Sequence, residues 1–268
     1  MQAHLRYLAI ASDQPEIVAD FYKKWFGMEE LGRSAKGEIS ITDGWLNLSL
    51  LKQPNGDNEP TGLSHFGIAV DDIGAFREQL AQASPGIELK KDVGGLHRGE
   101  YVMHDPNGTK ISVSALNYHV PQIKSGSMRL RHMSLCVDTG VELRDFFTKS
   151  IGFREVKTSV TRRESGADAL PFFFVGDGQV NLGFLPKKIM IEKPDRKNLQ
   201  PSHIEHGWFG HIGFVVPSMQ TFMDSGLPGK VAGRDMAEYR VWDPEGTAID
   251  LSQQRGFEVD YDHWERAA

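Results

Sequence analysis

The chain has 268 residues, of which 40% are hydrophobic and 25% are charged, and its formal net charge at pH 7 is −6. This length and composition predict a globular protein with a sizeable core, in one large domain or two of ordinary size. The negative charge gives no reason to expect nucleic acid or an anionic membrane as a partner, and no apolar run of about 18 residues predicts a transmembrane helix.

The cysteine content and the N-terminal sequence indicate in which cellular compartment the protein is expected. Cys136 is the single cysteine, so no intramolecular disulfide can form. The N-terminus lacks a basic segment followed by an apolar stretch and a cleavage site, which is the pattern of a secretory signal. We therefore expect a cytoplasmic protein.

Four strand-like segments of similar sequence recur along the chain, at residues 5–11, 63–70, 130–137 and 209–216. The third residue of each is a tyrosine or a histidine: Tyr7, His65, His132 and His211. A repeat of this kind fixes the architecture and makes residues comparable between copies.

A helix-like pattern of apolar residues follows each of these strands. The pattern predicts helices at 15–26, 73–83 and 141–151 and a shorter one at 219–224. Gly27 and Gly152 come directly after the first and third helices, where a left-handed residue commonly ends a helix. Alternating, β-rich segments follow every helix, so each repeat is predicted to be a βαβββ module.

Two turn sequences are also duplicated. Asp-Pro-x-Gly begins at Asp105 and Asp243, and each copy predicts a hairpin that closes one half of the chain. We predict an N-terminal domain over residues 1–120 and a C-terminal domain over 128–268, joined by a linker. The second half is longer because of two polar stretches, 161–170 and 186–207, which are either a functional lid or a surface insertion.

Paired βαβββ modules, opening strands with histidine at the third position, and Asp-Pro-x-Gly hairpins followed by Ile-Ser-Val or Ile-Asp-Leu resemble the vicinal oxygen chelate superfamily. It includes glyoxalase I, methylmalonyl-CoA epimerase, bleomycin resistance proteins and type I extradiol dioxygenases. The resemblance covers nearly the whole chain and implies an α+β fold, with four modules paired into two tandem half-open mixed-sheet barrels. It also implies a divalent metal held by the opening and last strands of the modules.

The resemblance implies a metal site in the second half, with His132, His211 and Asp250 as ligands. Strand alternation independently turns these three side chains toward one concave face. Two imidazoles and one carboxylate with open positions suit Fe(II), which we favour, or Mn(II). Such a set resembles that of the extradiol dioxygenases.

The corresponding first-half positions hold Tyr7, Asn47, His65 and Ser112, which include no carboxylate. We therefore expect no metal in the first half. Its pocket is expected either to be filled or to contact another subunit. A homodimer is accordingly among the expected partners.

The acid–base residues of the extradiol dioxygenases do not carry over, because their positions fall on Val180 and Arg240. We assign Arg240 to substrate orientation and name Glu238 as a candidate general base. His206, or its neighbour His203, is a candidate to replace the absent catalytic histidine. Surface ion pairing is the alternative for Glu238 and Arg240, and solvent exposure is the alternative for the histidines.

The resemblance, which these residues carry, implies a metal-dependent, extradiol-type ring-cleavage dioxygenase that uses O2. Its substrate would be a small aromatic or enol compound with vicinal oxygens. One alternative is a glyoxalase- or epimerase-like isomerase or lyase, with Glu238 as the base. The other is a metal-free protein that binds small molecules, like the bleomycin resistance proteins.

Overall fold

The computed structural model describes residues 3–53, 61–92, 99–121, 128–156, 172–187, 209–234 and 237–253. Of the two predicted long loops, only Pro186 and Lys187 fall within these ranges. His203 and His206 lie outside the described residues.

The first half contains two βαβββ modules. The elements of the first are β1 (Ala3–Ser12), α1 (Pro15–Phe26), β2 (Glu29–Arg33), β3 (Ile39–Thr42) and β4 (Asn47–Lys52). The elements of the second are β5 (Gly62–Val70), α2 (Ile73–Ala83), β6 (Lys90–Lys91), β7 (Tyr101–His104) and β8 (Lys110–Ser114). A 3-10 turn at Asn117–His119 follows β8.

The second half repeats this order. Its third module contains β9 (Arg129–Val137), α3 (Gly140–Phe146), a π-turn (Phe147–Ile151), β10 (Arg154–Glu155), β11 (Phe173–Gly176) and β12 (Asn181–Pro186). Its fourth contains β13 (Phe209–Val216), α4 (Gln220–Asp224), β14 (Gly229–Arg234), β15 (Ala237–Trp242) and β16 (Ala248–Gln253).

Each half forms one mixed sheet of eight strands. The strand orders are β2-β3-β4-β1-β5-β8-β7-β6 and β10-β11-β12-β9-β13-β16-β15-β14, which are the same order in corresponding strands. The opening strands pair antiparallel at the centre (β1 with β5, β9 with β13), and each also pairs in parallel with the last strand of its own module. Neither sheet closes on itself. The predicted α+β fold with four βαβββ modules is confirmed, whereas the exact domain limits stay a prediction.

The local sequence explains where the helices begin and end. Pro15 occupies the first turn of α1, and Gly27 ends it with a left-handed φ of 65°. The Asp72 carboxylate caps α2 by accepting the backbone N–H groups of Gly74 and Ala75. The predicted bounds of these two helices are confirmed.

The third predicted helix differs from the expectation. The structure divides it into α3 and the π-turn, whose wider coil contains the buried Ser150. The Ser150 hydroxyl lies 2.7 Å from that of Ser84, and its carbonyl accepts a hydrogen bond from Gln79 Nε2 at 3.0 Å. The widened turn therefore contacts α2 of the first half.

The helices of the opening modules pack against the opposite half. Phe26 of α1 lies 4.2 Å from Phe214 of β13 and 5.5 Å from Phe222 of α4 between ring centroids. Phe147 of the π-turn similarly lies 6.1 Å from Phe66 of β5. Both halves thus contribute to one hydrophobic core. Among the described residues, no helix is long and apolar enough to cross a membrane.

Candidate active site

A row of five residues crosses the centre of the second sheet. Its members are Asn181, His132, Gly213, Asp250 and Arg240, on strands β12, β9, β13, β16 and β15. Directly paired residues of neighbouring strands face the same side of a sheet, so the side chains of this row share one face. The glycine at the centre leaves space between His132 and Asp250.

His211 precedes Gly213 by two residues on β13 and therefore faces the same side. Its Nε2 lies 3.1 Å from Nε2 of His132 and 3.1 Å from Oδ2 of Asp250. The three side chains are buried, with 2%, 6% and 1% exposure for His132, His211 and Asp250. The structure thus brings together the three residues that the sequence predicts as metal ligands.

Neighbouring side chains orient the two imidazoles. Asn181 Oδ1 accepts a hydrogen bond from Nδ1 of His132. Ser134 Oγ lies 2.8 Å from Nδ1 of His211 and can donate its hydrogen to the His211 carbonyl oxygen at 3.4 Å. We assign the neutral imidazole protons to Nδ1 from these bonds, which leaves both Nε2 lone pairs turned toward each other.

Burial keeps His132 in the neutral form that can bind a metal. Desolvation lowers the pKa of His132 to about 4; the charge of Arg240 adds to this effect, whereas Asn181 and Asp250 oppose it. The Nε2 lone pair of neutral His132 therefore faces Nε2 of His211, which in turn faces the Asp250 carboxyl group. Such a cluster is stable only with a proton or a cation among the three donors.

Arg240 forms a bidentate ion pair with Asp250. Its Nε lies 2.5 Å from Oδ1 and its Nη2 lies 2.8 Å from Oδ2, and the guanidinium is buried. Arg240 and Asp250 are direct partners on β15 and β16, which places two of the arginine donors on this carboxylate. It thus holds Asp250 in place.

The donor set fits a divalent ion in its chemistry, and the two separations of 3.1 Å are of the size expected between ligands of one ion. Ligand distances of about 2.1–2.2 Å at right angles separate adjacent donor atoms by about 3.1 Å. However, the described residues include no group of three or more His, Cys, Asp or Glu side chains laid out as a ready-made metal site. In this structure the donor atoms of the three side chains lie in direct contact, and Asp250 is also bound by Arg240. A metal would have to replace those contacts.

The predicted acid–base residues do not join this cluster within the described part of the chain. Glu238 is exposed, and its Oε1 accepts the backbone N–H of Gln253 at 2.9 Å. His206 lies outside the described residues, and Val180 is buried in the hydrophobic core. The sequence interpretation also missed Ser134, although its position two residues after His132 could have indicated it.

The corresponding row of the first sheet consists of Asn47, Tyr7, Gly67 and Ser112. The side chain of Tyr118, from the 3-10 turn, lies over this row, with its hydroxyl 2.9 Å from Ser112 Oγ. An aromatic ring thus fills the first half where the second half has its donor cluster.

Comparisons with known proteins agree with this architecture. Residues 4–113 match the family model of the Glyoxalase/Bleomycin resistance protein/Dioxygenase superfamily. No curated protein matches the sequence.

Solved structures resemble the chain over almost its whole length. The 2,3-dioxygenase LapB from Pseudomonas sp. KL28 has a TM-score of 0.65 at 16% identity, covering 94% of this chain and 92% of that one. The Mn(II)-bound glyoxalase from Novosphingobium aromaticivorans has a TM-score of 0.66 at 15% identity, with coverages of 97% and 84%. An extradiol ring-cleaving dioxygenase from B. fuscum has a TM-score of 0.65 at 15% identity, covering 97% of this chain and 74% of that one.

At these identities the structural likeness shows the fold and leaves the activity open. The predicted resemblance to the vicinal oxygen chelate superfamily is confirmed by the family-model match over residues 4–113 and by the shared fold.

Proposed function

We propose that the chain is a metal-dependent, extradiol-type ring-cleavage dioxygenase with its metal in the second half. The observation that supports this most directly is the cluster of three buried donor atoms of His132, His211 and Asp250. Two imidazoles and a carboxylate form the ligand set of non-haem iron oxygenases. The structural similarity to LapB and to the B. fuscum enzyme is compatible with the dioxygenase reaction.

Each residue of the row has a distinct task in this proposal. His132, His211 and Asp250 would be the ligands. Asn181 and Ser134 would fix the two rings by accepting their Nδ1 protons, which makes Nε2 the metal-binding atom. A bound Fe(II), or Mn(II), would supply Lewis-acid binding of two vicinal substrate oxygens and reactivity toward O2.

Arg240 would control the charge at the Asp250 side of the site. Its bidentate contact holds the carboxylate in one orientation, and its remaining N–H groups would bind an anionic oxygen of the substrate. The substrate proposed is a small aromatic or enol compound with two adjacent oxygens. Burial of these side chains would exclude water from that substrate.

The experiment that tests this proposal is anaerobic reconstitution with Fe(II), followed by elemental analysis and O2 uptake with a panel of substituted catechols. We expect one iron per chain and O2 consumption with at least one catechol. The variants His132→Ala, His211→Ala and Asp250→Ala should lose the iron. The matched control is His65→Ala, which changes the first-half counterpart of His211 and should retain it.

Two results would contradict the proposal. If the wild-type protein binds no more iron than the variant in which all three ligands are alanine, the metal site does not exist, and a metal-free binding protein is favoured. If iron binds but no catechol supports O2 uptake, the dioxygenase assignment is rejected and the assignment of the metal site is retained.

The second candidate function is a glyoxalase-like isomerase or lyase. The similarity to the Mn(II)-bound glyoxalase from Novosphingobium aromaticivorans favours it. Because such a reaction uses no O2, activity of the Mn(II)-loaded protein under anaerobic conditions distinguishes it from ring cleavage.

A further inference from the structure

The ring of Tyr118 is held on the concave face of the first half like a bound aromatic molecule. It is fully buried and stacks on Tyr7, with 4.9 Å between ring centroids and 13° between ring planes. Its hydroxyl lies 2.9 Å from Ser112 Oγ and 3.3 Å from the Ile68 carbonyl oxygen. The ring is therefore stacked on another aromatic ring, and its hydroxyl is hydrogen-bonded.

The sheet is built to leave room for this ring. A Cβ atom at Gly67 would lie 2.3 Å from the Tyr118 hydroxyl oxygen and 2.5 Å from Ser112 Oγ, so only glycine fits there. Gly67 is the counterpart of Gly213 in the second half, between the positions of Tyr7 and Ser112. The same concavity thus exists in both halves.

The backbone at Tyr118 adopts an unfavourable conformation to deliver the ring. Asn117, Tyr118 and His119 have φ values of 51°, 53° and 52°, a left-handed run that residues with a Cβ atom rarely adopt. The Tyr118 carbonyl accepts a hydrogen bond from Nδ2 of the buried Asn47 at 2.9 Å. The contacts of the ring and this bond outweigh the backbone strain.

The surroundings of the ring differ from those of an ordinary core aromatic. Tyr118 belongs to a small cluster with Tyr7, apart from the main core. Polar side chains border the ring, and among the described residues Asn47 Oδ1 has no hydrogen-bond partner. A buried face with polar groups of this kind is typical of a site for a small polar aromatic molecule.

We propose that the concave face of the first half is a phenol-binding site, which the phenol of Tyr118 occupies as an internal ligand. Tyr7 supplies the stacking surface, Ser112 and the Ile68 carbonyl bind the hydroxyl, and Gly67 provides the space. When the Tyr118 side chain is shortened, a free phenol takes its place. This site is independent of the metal chemistry proposed for the second half.

The test uses the full chain with Tyr118→Ala and the probe phenol, which reproduces the part of the tyrosine side chain beyond Cβ that alanine lacks. We expect phenol to bind once per Tyr118→Ala chain by calorimetry and to raise its Tm, with little effect on the wild type. Benzene lacks the hydroxyl and should bind Tyr118→Ala about tenfold more weakly. Adding Ser112→Ala should remove most of this preference.

Phe76→Ala is the matched control, because Phe76 is an equally buried aromatic residue of the main core. Its cavity should favour benzene over phenol. The proposal is overturned if phenol stabilises Tyr118→Ala no more than the wild type, or if benzene binds equally well. If Tyr118→Ala does not fold alone, each probe is added separately during refolding: recovery with phenol only supports the site, and recovery with both probes or with neither overturns it.

Discussion

The Asp43 carboxylate accepts a hydrogen bond from the backbone N–H of Leu130, with 2.8 Å between Oδ2 and the nitrogen. The counterpart in the second half, Asp177, accepts the N–H of Leu5 in the same way at 2.7 Å. Each aspartate also binds two N–H groups of its own turn through Oδ1. Each half therefore anchors the opening strand of the other half by a buried, charge-assisted bond.

This reciprocal pair predicts that Asp43→Asn and Asp177→Asn each lower the free energy of unfolding by about 1–3 kcal/mol. Asparagine keeps the Oδ1 acceptor for its own turn. It replaces Oδ2 by an NH2 group, which cannot accept the backbone N–H of Leu130 or Leu5. Urea unfolding followed by circular dichroism measures the loss. The control is Asp138→Asn, whose carboxylate is largely exposed and should change stability by less than about 0.5 kcal/mol. Equal effects of all three variants would contradict the prediction.

Arg240→Met should destabilise the metal-free protein by about 3–5 kcal/mol, because it leaves the buried Asp250 carboxylate without its cation. Mn(II) should then restore much of this stability, since Asp250 is no longer shared with the guanidinium. The double variant Arg240→Met/Asp250→Asn is the control. It should be less destabilised without metal and should respond weakly to Mn(II). Urea unfolding with and without Mn(II) measures both effects, and an equal metal response of the two variants would contradict the prediction.

Asp105 predicts a pH dependence of stability. Burial raises the pKa of Asp105 to about 6, although the backbone N–H groups of Thr109 and Asn107 oppose the shift. The folded state therefore keeps this proton up to about pH 6, whereas the unfolded state loses it near pH 4. The contribution of Asp105 to stability thus falls as pH rises from about 4 to 6, and the penalty is complete above pH 6.

Asp105→Asn keeps the Oδ1 acceptor and removes this titration. It should be more stable than the wild type by up to about 2–3 kcal/mol at pH 7, and about equal to it at pH 4. Urea midpoints at four pH values from 4 to 7 measure the difference. An offset that does not change with pH would show that Asp105 titrates normally.

Gly183→Ala should disturb His132 without touching a ligand atom. A Cβ atom at this position would lie 2.9 Å from Cε1 of Phe174 and 3.1 Å from Cε1 of His132. We expect the displaced imidazole to weaken Mn(II) binding by about 10–100-fold, which is the range typical of changes next to metal ligands. Gly32→Ala is the control, because nothing lies within 4 Å of its Cβ position. Unchanged affinity in a folded Gly183→Ala protein would count against a metal at His132.

The part of the fold that could be predicted from the sequence is the part that depends on repeated local motifs, such as the two Asp-Pro-x-Gly turns. The turns at Asp105 and Asp243 need a left-handed glycine, and Gly108 and Gly246 have φ values of 82° and 89°. The division of the third helix could not be predicted, because its apolar periodicity continues through the point where the π-turn begins. The widened turn depends on contacts with α2, which no local pattern contains.

The candidate site could be predicted only where the alternation of side chains along a strand and the pairing of strands determine which face a residue occupies. Strand alternation was enough to place His132, His211 and Asp250 on one face. The bidentate geometry of Arg240 depends on side-chain rotamers, which the sequence pattern does not contain. Tyr118 could not be identified from sequence at all, because it reaches the first sheet from a turn whose left-handed backbone has no glycine to signal it.

The packing of Phe26 on Phe214 and of Phe147 on Phe66 limits how this chain can be divided. A fragment ending at the linker would keep its sheet but expose the apolar surface on which the other fragment's helix normally rests. The two polypeptides should therefore be insoluble when made separately and should form a soluble complex when produced together. A split-protein reporter cut at the linker would exploit this mutual dependence.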